Sequence, residues 1–240
     1  NVPNIFHVYW GAGTLPFLRY LTIKSFLRYN PGWKVMLWIP KYPGKIITWS
    51  TKQLNYESNW DDYFPELMLL PIKIKEVDMS DHGLQNDISE VHKSDYLRFW
   101  ILNKYGGIWS DMDILYLNPV EKLTVNIIEN RYKETFVCIC HYGHSNGFFM
   151  SAKGSRFFGK MRNVSIKEFN PANYQSNGVN ACNKHFPTIE SINNVSPAVN
   201  ISMDAVYVHD GQHISDLYNG KRSRFTENSI GVHWYGGHPL

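Results

Sequence analysis

HKSDYLRFWILNKYGGIWSDMD, residues 92–113, runs from a helical pattern through a glycine pair into two aspartates one residue apart. Apolar positions recur from Val91 through Trp100 to Tyr105, and Asp87 followed by Glu90 fits a capping box at the start. Gly106-Gly107 stands where a C-terminal glycine ends a helix. Strand-like GIWSD (107–111) and ILYL (114–117) follow at once. On that reading Asp95 and Arg98, three apart, share one helix face. Asp111 and Asp113, two apart in an extended segment, point to the same side with Cα atoms roughly 6–7 Å apart. Two carboxylates on so apolar a segment are either a solvated turn or oxygen ligands of a hard cation such as Mg2+ or Mn2+. Two make an incomplete cage, which suits a metal that also binds a diphosphate.

Outward from this stretch, strand and helix patterns alternate. NIFHVYW (4–10) reads as a strand, 15–29 as a helix stopping before Asn30-Pro31-Gly32, and WKVMLWI (33–39) as a second strand. Residues 41–70 carry weak helical signals, and IKIKEV (72–77) alternates like a strand. TFVCIC (135–140) and GFFMSA (147–152) are two more strands, joined by HYGHSN, and a helix is expected over 154–162. The last third is loop-rich, with strands expected over 205–209 and 230–235. This order predicts an α/β protein with a mostly parallel, wound sheet flanked by helices, built as a single domain over 1–240.

Composition excludes several classes. The formal charge is +3, and GKRSR (220–224) is the densest basic run, so the basic stripe of a nucleic-acid binder is missing. No 18-residue apolar run or signal-peptide pattern occurs, so no membrane span is expected. Cys138, Cys140 and Cys182 make neither a disulfide framework nor a four-ligand zinc site, which favours a reducing compartment. Three Asn-x-Ser sequons, at Asn163, Asn194 and Asn200, carry little weight in a chain this rich in Asn and Ser. Fifteen Tyr and eight Trp supply stacking faces for sugars or bases as well as core.

SDYLRFWILNKYGGIWSDMD (94–113) resembles the signature of the Asp-x-Asp sugar-transferase families of GT-A fold: Ser-Asp-x-x-Arg, a short helix, Gly-Gly-x-aromatic, then Asp-x-Asp. These include the yeast-type α-mannosyltransferases, their capsular and viral relatives, and the clostridial glucosylating toxins. NIFHVYWGAGTLP and NPGWKVMLW are similar to the first strand, loop and second strand of that group. The resemblance covers about the first 120 residues well and thins towards the end.

It implies a glycosyltransferase that moves a sugar from a nucleotide-diphospho-sugar, UDP-sugar favoured over GDP-sugar, to a glycan or polysaccharide hydroxyl with Mn2+ or Mg2+. Residues 1–117 would form the nucleotide-sugar half and 118–240 the acceptor-side half with a closing tail. Asp113 would bind the metal directly, and Asp111 would contact the ribose, the sugar or a metal-bound water. Asp95 and Arg98 would bond donor-sugar hydroxyls, Trp109 would lie near the sugar or diphosphate, and Asn146 would face the donor. Val8, Tyr9, Trp10 and Gly11 would line the base pocket. GVHWYGGHP (231–239) resembles the family's closing element, which makes His233 the expected third metal ligand, with His238 behind it. QSNGVNAC (175–182) keeps only Gly178 of a Thr-Gly-Pro found in relatives. The family is mainly retaining, and Asp204 and Asp210 stand as candidate bases for an inverting reaction. A metal-dependent glycoside or phosphate hydrolase and a non-catalytic nucleotide-sugar-binding module are the competing readings. The expected setting is the cytoplasm of a bacterium or virus-infected cell. The start at Asn1 without Met fits an excised domain, and the Golgi lumen would follow if an anchor had been removed.

Overall fold

Strands β1 (Ile5–Tyr9), β2 (Lys34–Pro40) and β4 (Gly107–Ser110) are almost wholly apolar because both of their faces are covered. A computed structural model describes residues 1–11, 13–44, 61–123, 132–221 and 224–236. With β3 (Ile72–Val77), β6 (Thr135–Cys140), β7 (Gly143–Ser151) and β8 (Ala198–Asn200) these strands form one seven-stranded sheet in the order β3-β2-β1-β4-β7-β6-β8. Four of its pairings are parallel; β7 runs antiparallel to both β4 and β6. The sheet is mostly parallel, as the alternating pattern predicts.

Successive side chains sort to opposite faces. Phe6, Val8, Val35, Leu37, Ile108, Phe148 and Met150 pack on one side with Ile23 and Phe26 of helix α1 (Phe17–Tyr29). Trp38, Trp109 and Phe149 pack on the other, against α3 (Glu90–Tyr105) and α4 (Arg156–Glu168). A short α2 (Phe64–Leu67) precedes β3. The helical signal over 41–70 otherwise falls largely on 45–60, outside the described residues. A second, two-stranded sheet pairs β5 (Ile114–Tyr116) with β9 (Gly231–His233).

Helix α3 meets the sheet through Gly106-Gly107. Both have positive φ, +67° and +98°, and a Cβ on Gly107 would collide with the carbonyl of Ile5. Beside them His7 is buried, accepts from the Trp38 indole (3.1 Å) and donates to the Gly106 carbonyl (3.0 Å). Burial lowers the His7 pKa to about 4, so the ring is a neutral strut.

Several boundaries differ from expectation. Ser89, not Asp87, caps α3: its hydroxyl accepts from the His92 N–H, and Asp87 lies two residues too early to reach the helix. β7 begins at Gly143, so HYGHSN is mostly strand, and α4 extends to Glu168. Residues 205–209 form no strand; a 3-10 turn at Met203–Ala205 leads into irregular chain. Helices α5 (Val179–His185), α6 (Ile189–Asn193) and α7 (Ile214–Tyr218) lie in the stretch read as loops. Among the described residues, no helix is long and apolar enough to cross a membrane.

Candidate metal and donor site

The two aspartates sit on a turn rather than a strand. β4 ends at Ser110 and β5 starts at Ile114, leaving Asp111–Asp113 to change direction between them. Met112 goes into the core. The Asp111 N–H donates to the Gly147 carbonyl (2.7 Å). Its carboxylate accepts from the Trp109 indole (3.0 Å) and lies 3.5 Å from Arg98 Nη1. Asp113 Oδ2 accepts from the Gly236 N–H (3.0 Å) and lies 3.8 Å from Arg19 Nη1.

His233 arrives from the far end of the chain. β9 runs antiparallel to β5 with His233 opposite Ile114, and the Trp234 N–H donates to the Asp113 carbonyl (2.9 Å). His233 Nε2 is then 3.1 Å from Asp113 Oδ1, without the alignment of a hydrogen bond. Donor atoms of Asp111, Asp113 and His233 all lie within 4.8 Å of one another, the one such group among the described residues. Two carboxylates and an imidazole suit a divalent cation, and the buried Asp113 Oδ1, which has no hydrogen bond among the described residues, offers it a lone pair. Gly147 keeps the space open: a methyl there would lie 2.9 Å from the Tyr207 hydroxyl, 3.3 Å from Asp111 Oδ2 and 3.4 Å from the His233 ring.

Next to this cluster Arg98 organises the α3 face. Its Nη2 is 2.8 Å from Asp95 Oδ1, its Nη1 donates to the Asn146 carbonyl (2.6 Å), and its guanidinium lies 5.3 Å from the Trp109 ring centre. Burial pushes the Asp95 carboxyl up to about 6, against the pull of Arg98. Asp113 is shifted the opposite way. Burial alone would raise it, but His233, Arg19 and the Gly236 N–H together hold it well below the usual carboxylate range.

The expected residues are distributed as follows. Asp111, Asp113 and His233 converge, and Asp95 and Arg98 adjoin them through Asp111. β1 and β4 are parallel neighbours, so Trp10 and Gly11, just beyond β1, leave the sheet at the same edge as Asp111. Val8 is fully buried in the core, which leaves only its backbone to face a ligand. The Tyr9 hydroxyl donates to the Glu90 carboxylate, and Gly11 packs so close to that carboxylate that a Cβ would collide with it. Trp109 is also fully buried. The alternation of β4 turns its ring into the helical layer, so it steadies Asp111 instead of presenting a face to a sugar. Asn146 meets Arg98 through its backbone carbonyl; its side-chain amide donates weakly to Cys182 Sγ (3.7 Å). His238 lies outside the described residues.

Sequence reasoning missed Arg19, Gly147, Tyr207 and the pair Glu90–Lys93. Arg19 lies 5.5 Å from the Trp10 ring and 4.8 Å from that of Trp234, across from Asp113. Glu90 and Lys93 pair at 2.8 Å with both side chains buried, and Lys93 also donates to the Tyr42 carbonyl (2.7 Å). Their i, i+3 spacing was a legible signal; the other three residues had none.

Residues 16–132, about half of the chain, match the family described as glycosyltransferase sugar-binding region containing DXD motif. Among solved structures, the PaToxG glycosyltransferase is similar at a TM-score of 0.51 and 14% identity, over 80% of this chain and 73% of that one. Apo GlyE, a glycosyltransferase of Streptococcus pneumoniae TIGR4, matches at 0.52 and 10%, over 98% of this chain. This chain spans 55% of the GlyE chain. At these identities the likeness is one of fold, and the fold is the GT-A type. No curated protein sequence is significantly similar to this one.

Proposed function

Residues 16–132 belong to the DXD glycosyltransferase sugar-binding family, and from that premise we propose that the protein moves a sugar from a nucleotide-diphospho-sugar to a glycan hydroxyl, with metal dependence. The observation that carries this is the convergence of Asp111, Asp113 and His233 within 4.8 Å, beside the buried Asp95–Arg98 pair. Those three residues would hold Mn2+ or Mg2+, and when bound the cation would neutralise charge on the leaving diphosphate.

The chain's own groups divide the remaining work. Trp109 and Arg98 hold Asp111, while Arg19 and the Gly236 N–H hold Asp113, so both carboxylates are oriented before a donor arrives. Arg98, pinned by Ser94, Asp95 and the Asn146 carbonyl, would donate to a sugar hydroxyl. The buried Asp95 Oδ2, without a hydrogen bond among the described residues, would accept from another. The chain leaving β1 at Trp10 and Gly11 would border the base, UDP favoured on the family resemblance. Transfer is read as retaining on the same ground. Asp204 and Asp210 stand as the alternative bases of an inverting reaction; Asp204 Oδ2 accepts from Thr226 (2.6 Å) and Asp210 lies 2.7 Å from His213. A cytoplasmic setting belongs to the same proposal.

A two-metal hydrolase would use a second ligand cluster, and Asp111, Asp113 and His233 are the one group of that kind among the described residues. A panel of nucleotide-sugars tested for thermal stabilisation with and without Mn2+ identifies the donor. Asp113→Ala should then lower transfer at least about a hundredfold while the far-ultraviolet spectrum is unchanged. Unchanged turnover in that variant would sink the metal assignment.

A further inference from the structure

We propose that Tyr207 is a positioning residue of the metal centre, its hydroxyl donating to an oxygen carried by the cation, either a water or a diphosphate oxygen. The inference rests on the metal-dependent reading above. Tyr207 is 6% exposed, and its hydroxyl has no hydrogen bond among the described residues. Buried hydroxyls in folded proteins are nearly always paired, so one left open marks where a further polar atom belongs. Packing alone does not explain a tyrosine here, since phenylalanine would fill the same volume without stranding a donor.

The surroundings say what that atom is. The Tyr207 hydroxyl, Asp111 Oδ2 and the His233 ring border the same methyl-sized space over Gly147, at 2.9, 3.3 and 3.4 Å from a Cβ placed there. The Tyr207 and His233 rings are 5.3 Å apart. Gly147 is not among the glycines with positive φ, so its backbone does not demand glycine; the space does. The neighbouring carboxylates and imidazole are the metal ligands. A neutral phenol beside them is therefore best used as a donor to whatever oxygen the cation carries.

Titration of Mn2+ by calorimetry, alone and with UDP, tests this on the wild type and on Tyr207→Phe. The variant should bind Mn2+ about tenfold more weakly or worse. A loss seen with Mn2+ alone assigns the partner as a water; a loss seen only with UDP assigns it as a diphosphate oxygen. The metal-free variant should melt no lower than the wild type, because a stranded hydroxyl has been removed. Equal affinities in both arms overturn the role of Tyr207 and leave the metal site standing. A wild type that binds neither Mn2+ nor Mn2+ with UDP overturns the metal reading itself, and this inference with it. If Tyr207→Phe does not fold, Tyr207→Met takes its place, removing the hydroxyl without adding an atom beside Asp111 or His233: Mn2+–UDP binding should weaken, and unaltered binding overturns the proposal.

Discussion

Asp95 is a carboxyl that the fold keeps at a cost. Burial raises its pKa to about 6, against roughly 3.9 in an unfolded chain. Between these values the folded protein holds a proton that the unfolded chain has released. Stability from this group therefore falls as pH rises from about 4 to 6. Asp95→Asn removes that segment of the titration. The melting temperature of the variant, relative to wild type, should climb across this window, and a flat difference would refute the assignment. The residue scale is also where the sequence was most legible. Asp95, Arg98, Asp111 and Asp113 sit at fixed offsets that group them from the sequence, although the two aspartates stand on a turn and not on the extended strand expected. Trp109 was legible as an aromatic next to the site, but its direction was not. Whether β4 turns it towards donor or core depends on the strand's register in the sheet.

At the scale of elements, the buried Glu90–Lys93 pair ties α3 to its surroundings. Glu90 accepts from Tyr9 at the end of β1 and from the Gly44 N–H, and Lys93 reaches the Tyr42 carbonyl. With both side chains buried, removing one charge leaves the other uncompensated. Glu90→Gln should therefore cost about 3 kcal/mol in urea denaturation. In a double-mutant cycle with Lys93→Met the two losses should be non-additive, the double variant losing less than the sum of the singles, and strictly additive losses would contradict the pairing. Elements with strong periodicity, such as α1 and α3, were readable because their faces repeat over several turns. The short helices α5, α6 and α7, of seven residues or fewer, were not. Helices of that length draw their stability from packing, which leaves little periodic signal.

For the whole molecule, the Asp111–Asp113–His233 cluster exists only in the folded chain, because His233 reaches Asp113 through the pairing of β9 with β5. Mn2+ should bind the native state and not the unfolded one. At about a hundred times its Kd it should add roughly 2.7 kcal/mol, a rise of several degrees in melting temperature. His233→Ala and Asp113→Ala should each abolish most of that rise; a full shift in either would exclude the residue as a ligand. The sequence by itself determined the class of fold and the helix–glycine–acid motif. Those depend on local spacing and on the strand–helix alternation that a parallel sheet imposes. Only the tertiary structure brought the expected His233 to Asp113 and added groups the sequence did not point to: Arg19, Gly147 and Tyr207. Their approach is set by sheet order and by the turn between β4 and β5, which bring Gly147 to Asp111 across 36 positions and His233 to Asp113 across 120.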